Sequence, residues 1–124
     1  MRLLLDTNAF LWWREESPQL PARVRDEIRD PDNDITVSIV SLWEIAIKRG
    51  TGKLQFLEDF EEVVAEEEFG LLNVTYAHLR ALGELPQHHR DPFDRLLIAQ
   101  SVADKLAVVT NDRKFALYAA QTFW

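Results

Sequence analysis

The run Arg2-Leu3-Leu4-Leu5-Asp6-Thr7-Asn8 decides the fold. Its three consecutive leucines make a short, wholly apolar strand, the pattern of a strand covered on both faces. Asp6-Thr7-Asn8 turns the chain out of that strand, and Ala9 to Arg14 reads as a short helix carrying Phe10, Trp12 and Trp13. A buried strand passing straight into a helix is the opening unit of a parallel α/β sheet.

The same order repeats along the chain. Pro21 suits a first helical position, and Leu20, Val24 and Ile28 recur at four-residue spacing, predicting a helix to about Arg29. After the turn Pro31-Asp32-Asn33-Asp34 comes a β-branched second strand, Ile35 to Ser38. Ser41 to Arg49 reads as a helix, with Ser41 and Glu44 as a capping box and Gly50-Thr51-Gly52 as its end. Phe60, Val63, Val64 and Glu67 predict a helix with one apolar stripe and one acidic face, stopped by Gly70. Leu71 to Val74 is a third strand, and Thr75 caps a helix through Leu79 and Leu82 that Pro86 closes. Asp91-Pro92 opens another helix, with Phe93, Leu96, Leu97, Gln100 and Ala103 on a 3.6-residue period. Leu106 to Thr110 is a fourth strand, a short helix runs from Arg113 to Tyr118, and Thr122 to Trp124 adds a fifth strand at the edge. The expectation is a single α/β domain over residues 1–124: three α/β/α layers around a doubly wound, four- to five-stranded parallel sheet. There is no internal repeat and no linker.

Composition narrows the function. The chain is 47% hydrophobic and 28% charged, as in an ordinary soluble domain. It contains no cysteine, which excludes thiol catalysis, disulfides and a Cys-based zinc site. The first residues make too short an apolar run for a signal peptide, and nothing approaches the roughly 18 apolar residues of a membrane span. A cytoplasmic protein is the expectation. The net charge of −7 argues at face value against nucleic acid. That charge is local, however: Glu58, Asp59, Glu61, Glu62, Glu66, Glu67 and Glu68 occupy one segment without a base, and the rest of the chain is neutral. A basic groove elsewhere is compatible with this balance.

Four acids fall where strands are expected to hand over to helices: Asp6, Glu44, Asp94 and Asp112. In an open parallel sheet these turns share one edge, where ligands bind. Each acid also has a plain structural reading. Glu44 and Asp94 suit third helical residues, Asp112 an N-cap and Asp6 an Asx-turn. Capping does not require four distant segments to converge, whereas a cation site does. Clustered carboxylates repel, so without a cation at least one should have a raised pKa. Oxygen ligands favour a hard divalent ion. His78, His88 and His89 form no recognisable ligand set, and the His88-His89-Arg90 loop reads as surface. No Ser-His-Asp arrangement or glycine-rich phosphate loop is present.

Four segments carry a family resemblance: Leu4-Leu5-Asp6-Thr7-Asn8; Ser41-Leu42-Trp43-Glu44-Ile45-Ala46-Ile47-Lys48; Asp91-Pro92-Phe93-Asp94-Arg95-Leu96-Leu97-Ile98-Ala99-Gln100; and Val109-Thr110-Asn111-Asp112. In order and spacing they resemble the PIN-domain family over essentially the whole chain. The branch they resemble most is the VapC-type toxins of toxin–antitoxin pairs. Asp-Pro-Phe-Asp-Arg is the most specific segment. The resemblance implies a PIN-like fold and Mg²⁺- or Mn²⁺-dependent cleavage of single-stranded RNA by a metal-activated water. Asp6, Glu44, Asp94 and Asp112 align with the family's acidic quartet. Asn8 departs from it, standing where many members of this branch carry histidine; with the acids intact, activity is expected to survive.

On this reading Asp6 and Asp94 are direct ligands, while Glu44 and Asp112 orient water or hold a second ion. Arg95, Arg113 and Lys114 lie in or beside first helical turns, where the helix dipole disfavours cations, so phosphate contact is their functional reading. Lys48, four residues after Glu44, suits an ion pair within its helix as well as a phosphate contact. Arg14 and Lys53 are weaker phosphate candidates. Two partners are expected besides RNA. Phe115, Tyr118, Phe123 and Trp124 crowd the C-terminus and suggest a homodimer surface. Phe10, Trp12 and Trp13, with Leu42 and Trp43 nearby, would form an apolar groove for a cognate antitoxin, and an antitoxin arginine would reach the quartet. Two other classes compete. An aspartate-based phosphatase or receiver domain would want a second acid after the first strand, and Asp6-Thr7-Asn8 lacks it. A non-catalytic binding module would use the acids only as caps.

Overall fold

The computed structural model describes residues 1–124. Strand β1 (Arg2–Leu5) is the middle of a five-stranded sheet. It alternates as a strand covered on both sides must: Leu3 and Leu5 enter one apolar cluster and Leu4 the other, all fully buried. The other elements, in order, are α1 (Thr7–Arg14), α2 (Ala22–Arg29), β2 (Asp34–Ser38), α3 (Ile39–Gly50), α4 (Phe60–Glu67), β3 (Gly70–Leu72), α5 (Tyr76–Glu84), α6 (Pro92–Asp104), β4 (Ala107–Val109), a 3-10 turn (Arg113–Leu117) and β5 (Gln121–Phe123). The strand order is β3-β2-β1-β4-β5, and every pair is parallel. On one face, side chains of α1, α2, α3 and α4 pack on Leu3, Leu5 and Val37. On the other, Leu96 to Ala99 of α6 and Phe115 pack on Leu4 and Val108. This is the expected three-layer α/β/α sandwich. No helix is long and apolar enough to cross a membrane.

Several local expectations shift, each for a physical reason. Helix α3 begins at Ile39, and its N-cap is Ser38, whose hydroxyl accepts from the Val40 N–H at 3.0 Å. Ser41 and Glu44 therefore make no capping box, and Glu44 sits in the second turn. Helix α4 is stopped by Glu68 in the left-handed region (φ 58°), while Gly70 opens β3.

The aromatic residues are the larger correction. Phe10 is fully buried and cannot line a groove. Phe10→Ala is expected to cost about 3–5 kcal/mol through the cavity it leaves; chemical denaturation checks this, and a cost below about 1 kcal/mol would place Phe10 at the surface. Trp12 packs edge-on against Trp124, with ring centroids 5.9 Å apart. Trp13 packs on Phe69 and donates its indole N–H to Glu67 at 2.5 Å. At the C-terminus, Phe115 and Tyr118 are buried, and Phe123 and Trp124 pack on the main core. Phe115 and Tyr118 thus complete the interior, while Phe123 and Trp124 keep part of their surface exposed, so the patch behind the homodimer expectation is smaller than the sequence suggested.

Candidate functional site

The order β3-β2-β1-β4-β5 places the switch in winding direction between β1 and β4, and ligands of such sheets sit beyond the carboxyl ends of the strands at that switch. Asp6 leaves β1 there and Asp112 follows β4 three residues beyond its end. The Asp6 N–H continues the ladder to the Val109 carbonyl at 3.1 Å, so backbone bonds fix the first acid. Its Oδ1 accepts from the Ala9 N–H at 2.7 Å, capping α1. The Thr110 side chain favours the charged form of the same carboxyl group.

Glu44 reaches the edge from the second turn of α3 and is buried. Its two oxygens accept from the Thr7 hydroxyl and the Lys48 ammonium, both at 2.6 Å. Asp94 arrives by a different route from the one expected, because it follows helix α5 and a loop rather than a strand. Helix α6 must run back along the sheet to deliver the chain to parallel β4, so its first turn lies at the carboxyl edge. Asp91 caps that turn, accepting from the Phe93 and Asp94 N–H groups at 2.9 and 3.0 Å. Asp112 caps the 3-10 turn through Oδ1, which accepts from the Lys114 N–H at 2.9 Å.

The four carboxylates share one field. Burial pushes Asp6 up to about 6, with the Asp112 and Glu44 charges adding to it against the lowering influence of Thr110 and the Ala9 N–H. Burial likewise pushes Asp94 up to about 7; Asp91, Glu44 and Asp6 add to the shift and His89 opposes it. Two of the four therefore meet the expectation for an acid cluster without a cation. The sign for stability follows. Both groups titrate higher when folded than the ordinary carboxylate value of 3.8, so the fold gains stability as pH falls through their folded values and pays the full cost above them. The melting temperature in EDTA is expected to rise as pH drops from about 8 to about 6. A flat or falling profile would contradict the placement of these acids.

One participant is absent from the sequence reading. His89, expected at the surface, is 8% exposed, and its Nε2 lies 3.0 Å from Oδ2 of both Asp94 and Asp112. The burial of a loop histidine depends on what folds over it, and only its place two residues before Asp91-Pro92 hinted at a role. Thr7 and Thr110 were missed too, being unremarkable except for their contacts.

The basic residues divide. Arg113 and Lys114 are exposed beside Asp112. Lys48 is paired with Glu44, as its spacing allowed. Arg95 is engaged internally, donating to the Pro86 carbonyl at 2.8 Å and the Tyr118 hydroxyl at 3.2 Å. Arg14 is removed from the phosphate candidates by ion pairs to Glu58, Glu66 and Glu67 at 2.6–2.8 Å. Lys53 is exposed.

Of the residues expected to form the antitoxin groove, Phe10 is buried, Trp12 and Trp13 are partly exposed on α1, and Leu42 and Trp43 line a cleft elsewhere. This apolar cleft of about 600 Å³ runs between α3 and α4, lined by Ile39, Leu42, Trp43, Ala46, Phe60 and Val64 among others. Trp43 is 54% exposed there and meets the Phe93 ring edge-on at 4.8 Å. Trp43, on the wall of the cleft, directly precedes Glu44 in α3, and its ring partner Phe93 directly precedes Asp94 in α6.

The donors suit a hard divalent cation, being carboxylate oxygens in a buried setting that raises the cost of charge. A five-stranded parallel sandwich with acids gathered at its switch point defines a class, and the whole chain conforms to it. Residues 3–121 match the PIN domain model, and the protein belongs to the PIN domain family. No curated protein sequence matches it. Among solved structures it is similar to VapBC2 from Rickettsia felis, bound to a DNA fragment from their promoter (TM-score 0.70, 18% identity, 99% of this chain and 98% of that one). It is also similar to DNA-bound VapBC from Salmonella typhimurium (TM-score 0.68, 19% identity, 99% and 97%). A third is FitAcB from Neisseria gonorrhoeae (TM-score 0.64, 19% identity, 98% and 96%). At such identities the likeness is one of fold.

Proposed function

We propose that this PIN domain is a Mg²⁺- or Mn²⁺-dependent endoribonuclease acting as the toxin of a toxin–antitoxin pair. The observation that carries the reading is the convergence of Asp6, Glu44, Asp94 and Asp112, from four separate segments, with two carboxyl groups held above their ordinary pKa. Asp6 and Asp94 would hold the cation, with Glu44 and Asp112 beside them. When bound, such an ion supplies water activation and neutralises charge on the phosphoryl oxygens. The chain's own residues orient the carboxylates: Thr7 and Lys48 fix Glu44, and the Ala9 N–H fixes Asp6. Arg113 and Lys114 are the cations free to meet the RNA backbone. The likeness to VapBC complexes supports a protein partner, and the α3–α4 cleft is its docking place: an amphipathic antitoxin helix would fill it, and a basic side chain would reach from there toward the acid cluster.

The test is incubation with a defined panel of single-stranded RNAs in Mg²⁺ or in EDTA, with the ends mapped. Metal-dependent cleavage leaving 5′-phosphate and 3′-hydroxyl ends is expected. Products ending in a 2′,3′-cyclic phosphate, or cleavage unaffected by EDTA, would overturn the proposal.

A further inference from the structure

We infer that His89 is a positioning residue that clamps Asp94 and Asp112 through its Nε2–H and stays out of the metal's coordination shell. The inference deepens the proposed nuclease site and rests on that reading. Taken by distance alone, His89 Nε2, an Asp94 oxygen and an Asp112 oxygen, all within 4.8 Å of one another, look like three ligands of one ion. The other ring nitrogen decides against it. His89 Nδ1 accepts the Asp91 backbone N–H at 3.2 Å, so in the neutral ring the proton sits on Nε2. A ligating nitrogen needs a free lone pair, and ligating histidines donate their second ring N–H to an acceptor. In His89 this polarity is reversed. Its Nε2–H instead hydrogen-bonds Asp112 Oδ2 at 3.0 Å, and Asp94 Oδ2 lies at the same distance from the nitrogen.

The ring is held for that task although its loop has no regular structure. The Tyr118 hydroxyl oxygen accepts from the His89 and His88 N–H groups at 2.7 and 3.1 Å and from Arg95 at 3.2 Å. The face of the ring is closed by Phe115, edge-on with centroids 6.2 Å apart. Arg95 also grips the Pro86 carbonyl, so the arginine in Asp91-Pro92-Phe93-Asp94-Arg95 serves the loop that carries the clamp. Bonded to Asp112 Oδ2 and 3.0 Å from Asp94 Oδ2, His89 sets the separation of two carboxylates that would otherwise repel, and leaves Asp94 Oδ1 for the cation.

Three measurements on the full chain test this. In the metal-free protein, long-range ¹H–¹⁵N correlation of the imidazoles is expected to show His89 as the Nε2–H tautomer; an Nδ1–H tautomer would overturn the clamp. With Mn²⁺ bound, pulsed EPR is expected to show no directly coordinated nitrogen; a ¹⁴N coupling that disappears in His89→Gln would make His89 a ligand and refute the proposal. Substitution separates the donor from the ring. A glutamine amide can present an N–H near the Nε2 position, so His89→Gln should keep Mn²⁺ affinity within about threefold, whereas His89→Asn should lose roughly 10–100-fold. Equal affinities for wild type and His89→Asn would also overturn it. If the wild-type chain binds no Mn²⁺, the nuclease reading fails by itself, and the tautomer measurement still decides the clamp.

Discussion

Asp94→Asn is expected to remove RNA cleavage by at least about 10²–10³-fold while making the metal-free protein more stable. The two effects share one cause. Asp94 is largely buried in the field of Asp91, Glu44 and Asp6, and its carboxyl is pushed up to about 7. Near neutral pH the fold spends stability to keep this group charged, and a neutral amide of the same shape relieves the cost. The same holds for Asp6→Asn, because asparagine can still accept the Ala9 N–H as an N-cap. Raising a carboxyl from 3.8 to about 6 costs about 3 kcal/mol when it is ionised, so a gain on the order of 1–3 kcal/mol is expected in EDTA. In Mn²⁺ the order should reverse, since the wild type gains binding energy that the variants have lost. Melting curves with and without Mn²⁺, beside cleavage assays, check both halves. An active Asp94→Asn enzyme would end the metal assignment, and an inactive variant less stable than wild type in EDTA would show that the charges are not in conflict.

The second large effect is expected at Trp43. Trp43→Ala should weaken antitoxin binding by about 30-fold or more, corresponding to at least about 2 kcal/mol for an aromatic anchor at an interface. Trp43 lines the apolar cleft between α3 and α4 and is more than half exposed, so truncation should change folding stability by less than about 1 kcal/mol. Trp12→Ala and Trp13→Ala are the controls. Neither residue lines the cleft, and both are tied to the body of the domain through Trp124 and Phe69. Calorimetric titration of purified antitoxin into the three folded variants distinguishes them. Unchanged affinity in Trp43→Ala, or a loss confined to the Trp12 and Trp13 variants, would move the interface to α1.

Period and punctuation were enough to read the architecture. A buried tripeptide of leucines, a β-branched Ile35-Thr36-Val37 and an apolar Ala107-Val108-Val109, each leading toward a helix or turn, leave a parallel sheet as the economical way to bury them. The acid set was legible for the same reason: in such a sheet, position along the chain implies position at the edge. Asp94 was found although its stated context was wrong, because a helix returning to a parallel strand starts at the same edge that the strands end on. Burial of individual side chains could not be read this way. Whether Phe10 faces the core, whether Trp124 meets Trp12, and whether His89 is covered depend on which distant segment lies across each of them. Local pattern specifies a residue's direction relative to its own helix or strand, and a loop residue such as His89 has not even that reference. The cleft shows the same limit, since Trp43 lines it only because Phe60 and Val64 of α4 lie across from α3, an arrangement that packing of the assembled layers settles.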